Sequence, residues 1–196
     1  MQIVFEEAVR ALERQEPCVL ATVIRTKGST PQKSGARLLV RGDGSGIGTL
    51  GGGCVEGDIW FAAKMLLRDR GDAEVKSYSL SEELAARDGL ICGGTMYFLL
   101  EPIYEPGTFL SHAREVVDAY NGGKPVAIAS IVRSSGKDCS VVGTRLLVRE
   151  RGVAEGNLGS PELNEQVVRK ARELMAFGKC AYFTTREGAE VFVEAH

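Results

Sequence analysis

Histidine is almost missing from this chain: His112 and His196 are the only two in 196 residues. The five cysteines, Cys18, Cys54, Cys92, Cys139 and Cys180, never form a CxxC pair. Together these scarcities exclude a structural zinc site of the usual kind. An odd cysteine count without a secretion signal points to thiols rather than a disulfide framework. No apolar run approaches the roughly 20 residues of a membrane helix. No block of Lys or Arg is present, and 24 basic against 26 acidic residues leave a net charge of −2. A nucleic-acid or membrane surface is therefore not expected. GxxxxGK[ST] is absent, which excludes a P-loop. The start, MQIVFEEAVRALERQ, places acids inside its apolar pattern. It reads as an amphipathic helix rather than a signal peptide, and a cytoplasmic protein is expected.

Glycine is abundant where other residues are scarce. Gly44 to Glu56, GSGIGTLGGGCVE, holds six glycines in thirteen residues, with Gly51, Gly52 and Gly53 together. Glycines allow positive φ and let a ligand approach the backbone. Cys54 and Glu56 follow them into the first turn of a helix that continues through Asp58–Leu67. Free N–H groups at a helix start favour an anion, and a cysteine there is expected to be more thiolate. Glu56 is read either as a helix-start acid or as a general base. Gly46–Gly51 formally matches GxGxxG, but its glycines follow a turn and Ile47–Leu50 reads as a strand, so a dinucleotide fingerprint is not indicated.

The chain repeats itself. Pro17–Arg25 (PCVLATVIR) recurs as Pro125–Arg133 (PVAIASIVR), an offset of 125 − 17 = 108. Over the 35 positions from Pro17 to Gly51, 14 residues are identical to those 108 further on. Gly35–Arg41 falls on Gly143–Arg149, and Gly48–Gly51 on Gly156–Gly159. The expected fold is α+β, with mixed sheets and helices in two pseudo-symmetric repeats. The first repeat, 1–106, carries the glycine-rich loop. The second, 107–196, is degenerate and packs with the first.

The differences between the repeats localise the chemistry. Gly52, Gly53, Cys54 and Glu56 align with Ser160, Pro161, Glu162 and Asn164. The second repeat starts its helix in the ordinary way, with Ser160 as cap and Pro161 in the first position. Cys92 precedes Gly93 and Gly94 in a segment that the second repeat lacks. Cys54 and Cys92 could therefore face one pocket and share a soft metal or a sulfur. Ser29 and Thr30 supply loop hydroxyls. Arg37, repeated as Arg145, could clamp an anion or serve a structural ion pair. Cys18 and Cys180 lie in strand runs and read as core, Cys139 as an exposed loop residue, and His112 as a surface residue.

Three blocks now carry a resemblance: LATVIRTKGSTPQKSGARLLV, GTLGGGCVEGDIW and SEELAARDGLICGGTMYFLLEPI. They resemble the XdhC/CoxI family, accessory proteins of molybdenum hydroxylases such as xanthine dehydrogenase. The resemblance implies binding of the molybdenum cofactor (molybdopterin), its protection during sulfuration, and its insertion into a hydroxylase apo-enzyme. It implies a cysteine desulfurase partner and a possible homodimer. It puts Gly51, Gly52, Gly53, Cys54, Glu56, Cys92, Gly93 and Gly94 in the conspicuous positions. Alternatives are a thiol-dependent sulfurtransferase or an interaction scaffold. Long family members continue into a C-terminal Rossmann domain, and the resemblance here is to a short form without one.

Overall fold

The computed structural model describes residues 1–80, 93–134 and 141–196. The segment with Cys92 and the loop with Cys139 lie outside them. Contacts divide the chain into two compact units, Ile3–Gly107 and Thr108–His196.

In the first unit, α1 (Gln2–Glu13) precedes β1 (Cys18–Lys27), β2 (Arg37–Arg41), β3 (Gly46–Gly48), α2 (Gly53–Asp69), β4 (Glu74–Ser79) and β5 (Thr95–Ile103). The strands form one sheet in the order β3-β2-β1-β5-β4. The second unit repeats the plan with α3 (Gly107–Tyr120), β6 (Val126–Arg133), β7 (Arg145–Arg149), β8 (Glu155–Gly156), α4 (Pro161–Met175), β9 (Cys180–Thr184) and β10 (Glu190–Ala195). Its sheet order is β8-β7-β6-β10-β9. The architecture is α+β, as expected. Every ladder among the described residues is antiparallel, however, so the sheets are not mixed.

Registers match across the units. Val19 pairs with Val40 and Leu20 with Leu39; Ala127 pairs with Val148 and Ile128 with Leu147. The backbone bonds that close β1 onto β2, Val23 N–H to Ala36 O and Gly35 N–H to Val23 O, reappear as Ile131 to Thr144 and Gly143 to Ile131. Strand alternation sends Val19, Ala21, Val23, Leu38, Val40, Phe98 and Leu100 to one face. There they meet Leu50, Val55, Ile59 and Ala63, of which the last three lie on one stripe of α2. Each buried Leu, Val or Ile contributes about 1.5–3 kcal/mol. This packing fixes where α2 begins, and that beginning is the glycine loop. Among the described residues no helix is long and apolar enough to cross a membrane.

Candidate functional site

Leu50, fully buried under α2, anchors the turn, and the chain then passes through three glycines with φ of 110°, 75° and 65°. L residues rarely take those values, so this path requires Gly51, Gly52 and Gly53. Gly52 is the N-cap of α2 and has no side chain with which to cap it. In the second unit the Ser160 hydroxyl accepts from the Leu163 N–H at 3.2 Å. Leu163 corresponds to Val55, and among the described residues no side chain caps α2 in this way. A Cβ on Gly52 would meet nothing within 4 Å. Cys54, one position beyond Gly53, is exposed. Among the described residues, the start of α2 therefore has no side-chain cap; it is open at Gly52 and bordered by a thiol.

Glu56 faces the turn from within the helix. Its Oε2 accepts the Thr49 hydroxyl at 2.7 Å, the Leu50 N–H at 2.8 Å and the Gly52 N–H at 3.2 Å. Thr49 Oγ1 in turn accepts the Gly51 N–H at 3.1 Å. Burial works to raise the Glu56 pKa, but these hydrogen bonds outweigh it and hold the carboxyl below the usual glutamate range. The Leu50 and Gly52 amides are thus already spent on an internal carboxylate. Those two amides are not available to an anion at this helix start.

The loop after β1 closes one side of the group. The Thr30 hydroxyl donates to Gln32 O at 2.9 Å. A Cβ on Gly51 would lie 2.7 Å from Pro31 Cβ. Gly94 is buried against the same loop: a Cβ there would lie 2.4 Å from Ser29 O and 2.5 Å from Lys27 O. Gly28 meets Gly93 and Gly94 as well. Ser29, Thr30, Gly51–Cys54 and Gly93–Gly94 therefore belong to one neighbourhood.

Arg37 does not join it. Its guanidinium is buried over the Phe5 ring at 4.8 Å, and its Nε donates to Thr22 Oγ1 at 3.1 Å. The neighbouring Leu38 is the residue that faces α2. Arg145 sits over Phe109 at 4.5 Å in the same manner. The arginine recurs because each unit uses it to hold a helix to a sheet. Cys18 is buried, as expected of core, whereas Cys180 at the start of β9 is only half-buried. His112 is buried, not a surface residue. It shares a stripe with Phe109, Ala113 and Val116, spacing that was legible in the sequence. Among the described residues neither of its ring nitrogens has a hydrogen-bond partner, and Glu155 Oε1 lies 3.6 Å from Nε2. Burial lowers its pKa, with Glu155 working to raise it and Arg145 to lower it further. Thr49 was missed in the sequence; its signal is Asn157 at the equivalent place, which accepts the Gly159 N–H at 3.0 Å.

The XdhC and CoxI family model matches this chain twice, over residues 11–79 and 119–186. The chain belongs to the XdhC and CoxI family. The two matched segments start 119 − 11 = 108 residues apart, the offset of the sequence repeat. Among similar proteins is a probable xanthine dehydrogenase component of Bacillus subtilis (strain 168), 34% identical over 126 residues. That match covers 63% of this chain and 37% of the relative. The molybdenum cofactor insertion chaperone PaoD of Escherichia coli (strain K12) is 35% identical over 69 residues, covering 35% of this chain and 22% of PaoD. A crystal structure of a xanthine dehydrogenase from Bacillus halodurans superposes with a TM-score of 0.63 at 25% identity, over 95% of this chain and 52% of that one. The chain thus spans about half or less of the length of these similar proteins.

Proposed function

We propose that this XdhC and CoxI family chain is an accessory protein of a molybdenum hydroxylase, and that it binds the molybdenum cofactor at the open start of α2. The observation that carries the reading is the exchange at one position of the fold. Where the second unit caps its helix with Ser160 and Pro161, the first offers glycines and an exposed thiol. The residues suit the group. The cofactor bears a phosphate, which the positive end of a helix favours. It also carries a metal–sulfur end, which a thiolate suits better than oxygen ligands do. Among the described residues no trio of His, Cys, Asp and Glu gathers to hold a bare ion.

When bound, the cofactor supplies the molybdenum–dithiolene centre that a hydroxylase uses for its own redox chemistry. This chain supplies the holding. Gly51, Gly52 and Gly53 give close backbone approach. Cys54 stands beside the site, and Ser29 and Thr30 offer hydroxyls from the bordering loop. The first repeat, 1–106, carries the site, and the second, 107–196, is scaffold. A hydroxylase apo-enzyme is the recipient, a cysteine desulfurase the source of sulfur, and a second copy of this chain a further partner. PaoD, by its name, belongs to the insertion step, and its likeness over 69 residues supports this reading.

The test is retention of isolated molybdenum cofactor by the wild-type chain, Cys54→Ser and Cys92→Ser, with molybdenum and pterin counted separately. Wild type is expected to retain both, and Cys54→Ser to retain less metal than pterin. A wild-type chain that retains neither would sink the proposal. Sulfur carried as a persulfide on Cys54 and passed on with turnover would instead support a sulfurtransferase, a reading favoured by the exposure of that thiol.

A further inference from the structure

We infer that Glu56 is the positioning residue of this site, a brace that keeps the start of α2 open, rather than a ligand or a general base. The inference rests on the cofactor-binding reading, and the geometry that carries it is independent of any cofactor. One carboxylate oxygen, Oε2, collects three donors from Thr49, Leu50 and Gly52. An oxygen so committed is a poor proton acceptor for a substrate, and its acidity is tuned the wrong way for a base near neutral pH.

The second unit supplies the comparison. Asn164 stands at the position of Glu56, and its Oδ1 accepts the Leu158 N–H at 2.8 Å, as Glu56 accepts Leu50. Asn164 Nδ2 donates to Asn157 Oδ1 at 3.0 Å, so the side-chain bond that runs from Thr49 to Glu56 runs the other way here. A neutral pair therefore suffices to fold this turn when the helix also has its Ser160 cap. The first unit lacks the cap and has a stronger brace. It gathers two backbone N–H groups in place of one and uses a carboxylate in place of an amide. Bonds to an ionised acceptor are roughly twice as strong as neutral ones. The brace acts from inside the helix, so the Gly52 side, where a Cβ would meet nothing within 4 Å, stays free. A side-chain cap would close the helix-start amides to a ligand; a brace from the helix interior need not.

The test uses the cofactor-free full chain and reads Cys54 directly. The rate of Cys54 alkylation by iodoacetamide is followed by peptide-resolved mass spectrometry at one fixed pH in wild type, Glu56→Gln and Glu56→Ala. Amide hydrogen exchange over Thr49–Cys54 and thermal unfolding are measured alongside. Both variants remove the charge, but only Gln keeps an acceptor. Positioning predicts that Glu56→Ala alkylates on the order of threefold more slowly than Glu56→Gln, because a frayed helix start loses its pull on the thiolate. Exchange at Leu50 and Gly52 should rise about tenfold or more in the Ala variant and stay near wild type in the Gln variant. Equal behaviour of Gln and Ala, whether both shift or neither does, would overturn the inference. If Glu56→Ala does not fold, Thr49→Val removes the hydroxyl alone, and unchanged exchange at Gly51 and Leu50 would overturn it in the same way. Because no cofactor is present, this outcome is separate from failure of the binding proposal.

Discussion

At the scale of single residues, chemistry and packing compete for the same side chains, and packing claimed one of the candidates. Arg37 looks like an anion clamp in the sequence but is a buried link between α1 and β2. Arg37→Ala should therefore lower stability by about 1–3 kcal/mol, through lost packing and an unpaired partner, while cofactor retention by the folded fraction stays unchanged. Urea unfolding and a retention assay read the two effects separately. Gly94 is the opposite case, a plain residue packed tightly under the Ser29–Thr30 loop. Gly94→Ala would press a methyl group against Ser29 O and Lys27 O, at a cost of about 1–3 kcal/mol, and push the Ser29–Thr30 loop away. His112 adds a pH dependence. Its pKa is depressed in the folded chain, chiefly by burial. The unfolded chain therefore takes up the proton first, and stability falls as pH drops below the ordinary histidine value of 6.5. His112→Leu should flatten the fall below about pH 6.5, as measured by thermal unfolding.

At the scale of elements, much of the fold was legible because period and repetition are properties of the sequence itself. The apolar runs at Cys18–Lys27 and Val126–Arg133 are strands, and Ser160–Pro161 starts a helix where cap chemistry says it must. Whether neighbouring strands run parallel or antiparallel was not legible. β1 and β5 are joined through most of the first unit, and that length of connection allows either direction. Glu56 was misleading for a related reason. Replacement by Asn164 in the second unit looks like loss of function in an alignment, yet both side chains hold the same turn. A hydrogen-bond role survives a change of residue that a one-letter comparison records as a difference. The caps themselves are testable: Ser160→Ala should destabilise the chain by about 0.5–2 kcal/mol, measured by urea unfolding.

At the scale of the whole molecule, two units share a strand order, register and turn, and differ in what stands at one helix start. The central claim is that this difference is the site. The most direct measurement is a graft. Residues 49–56 are replaced by the sequence of residues 157–164, which restores the cap, removes Cys54 and keeps the buried leucine and the first glycine of the turn. The predicted result is a chain that folds at least as stably as wild type and no longer retains the isolated molybdenum cofactor. A grafted chain that is folded and retains cofactor as wild type does would contradict the claim.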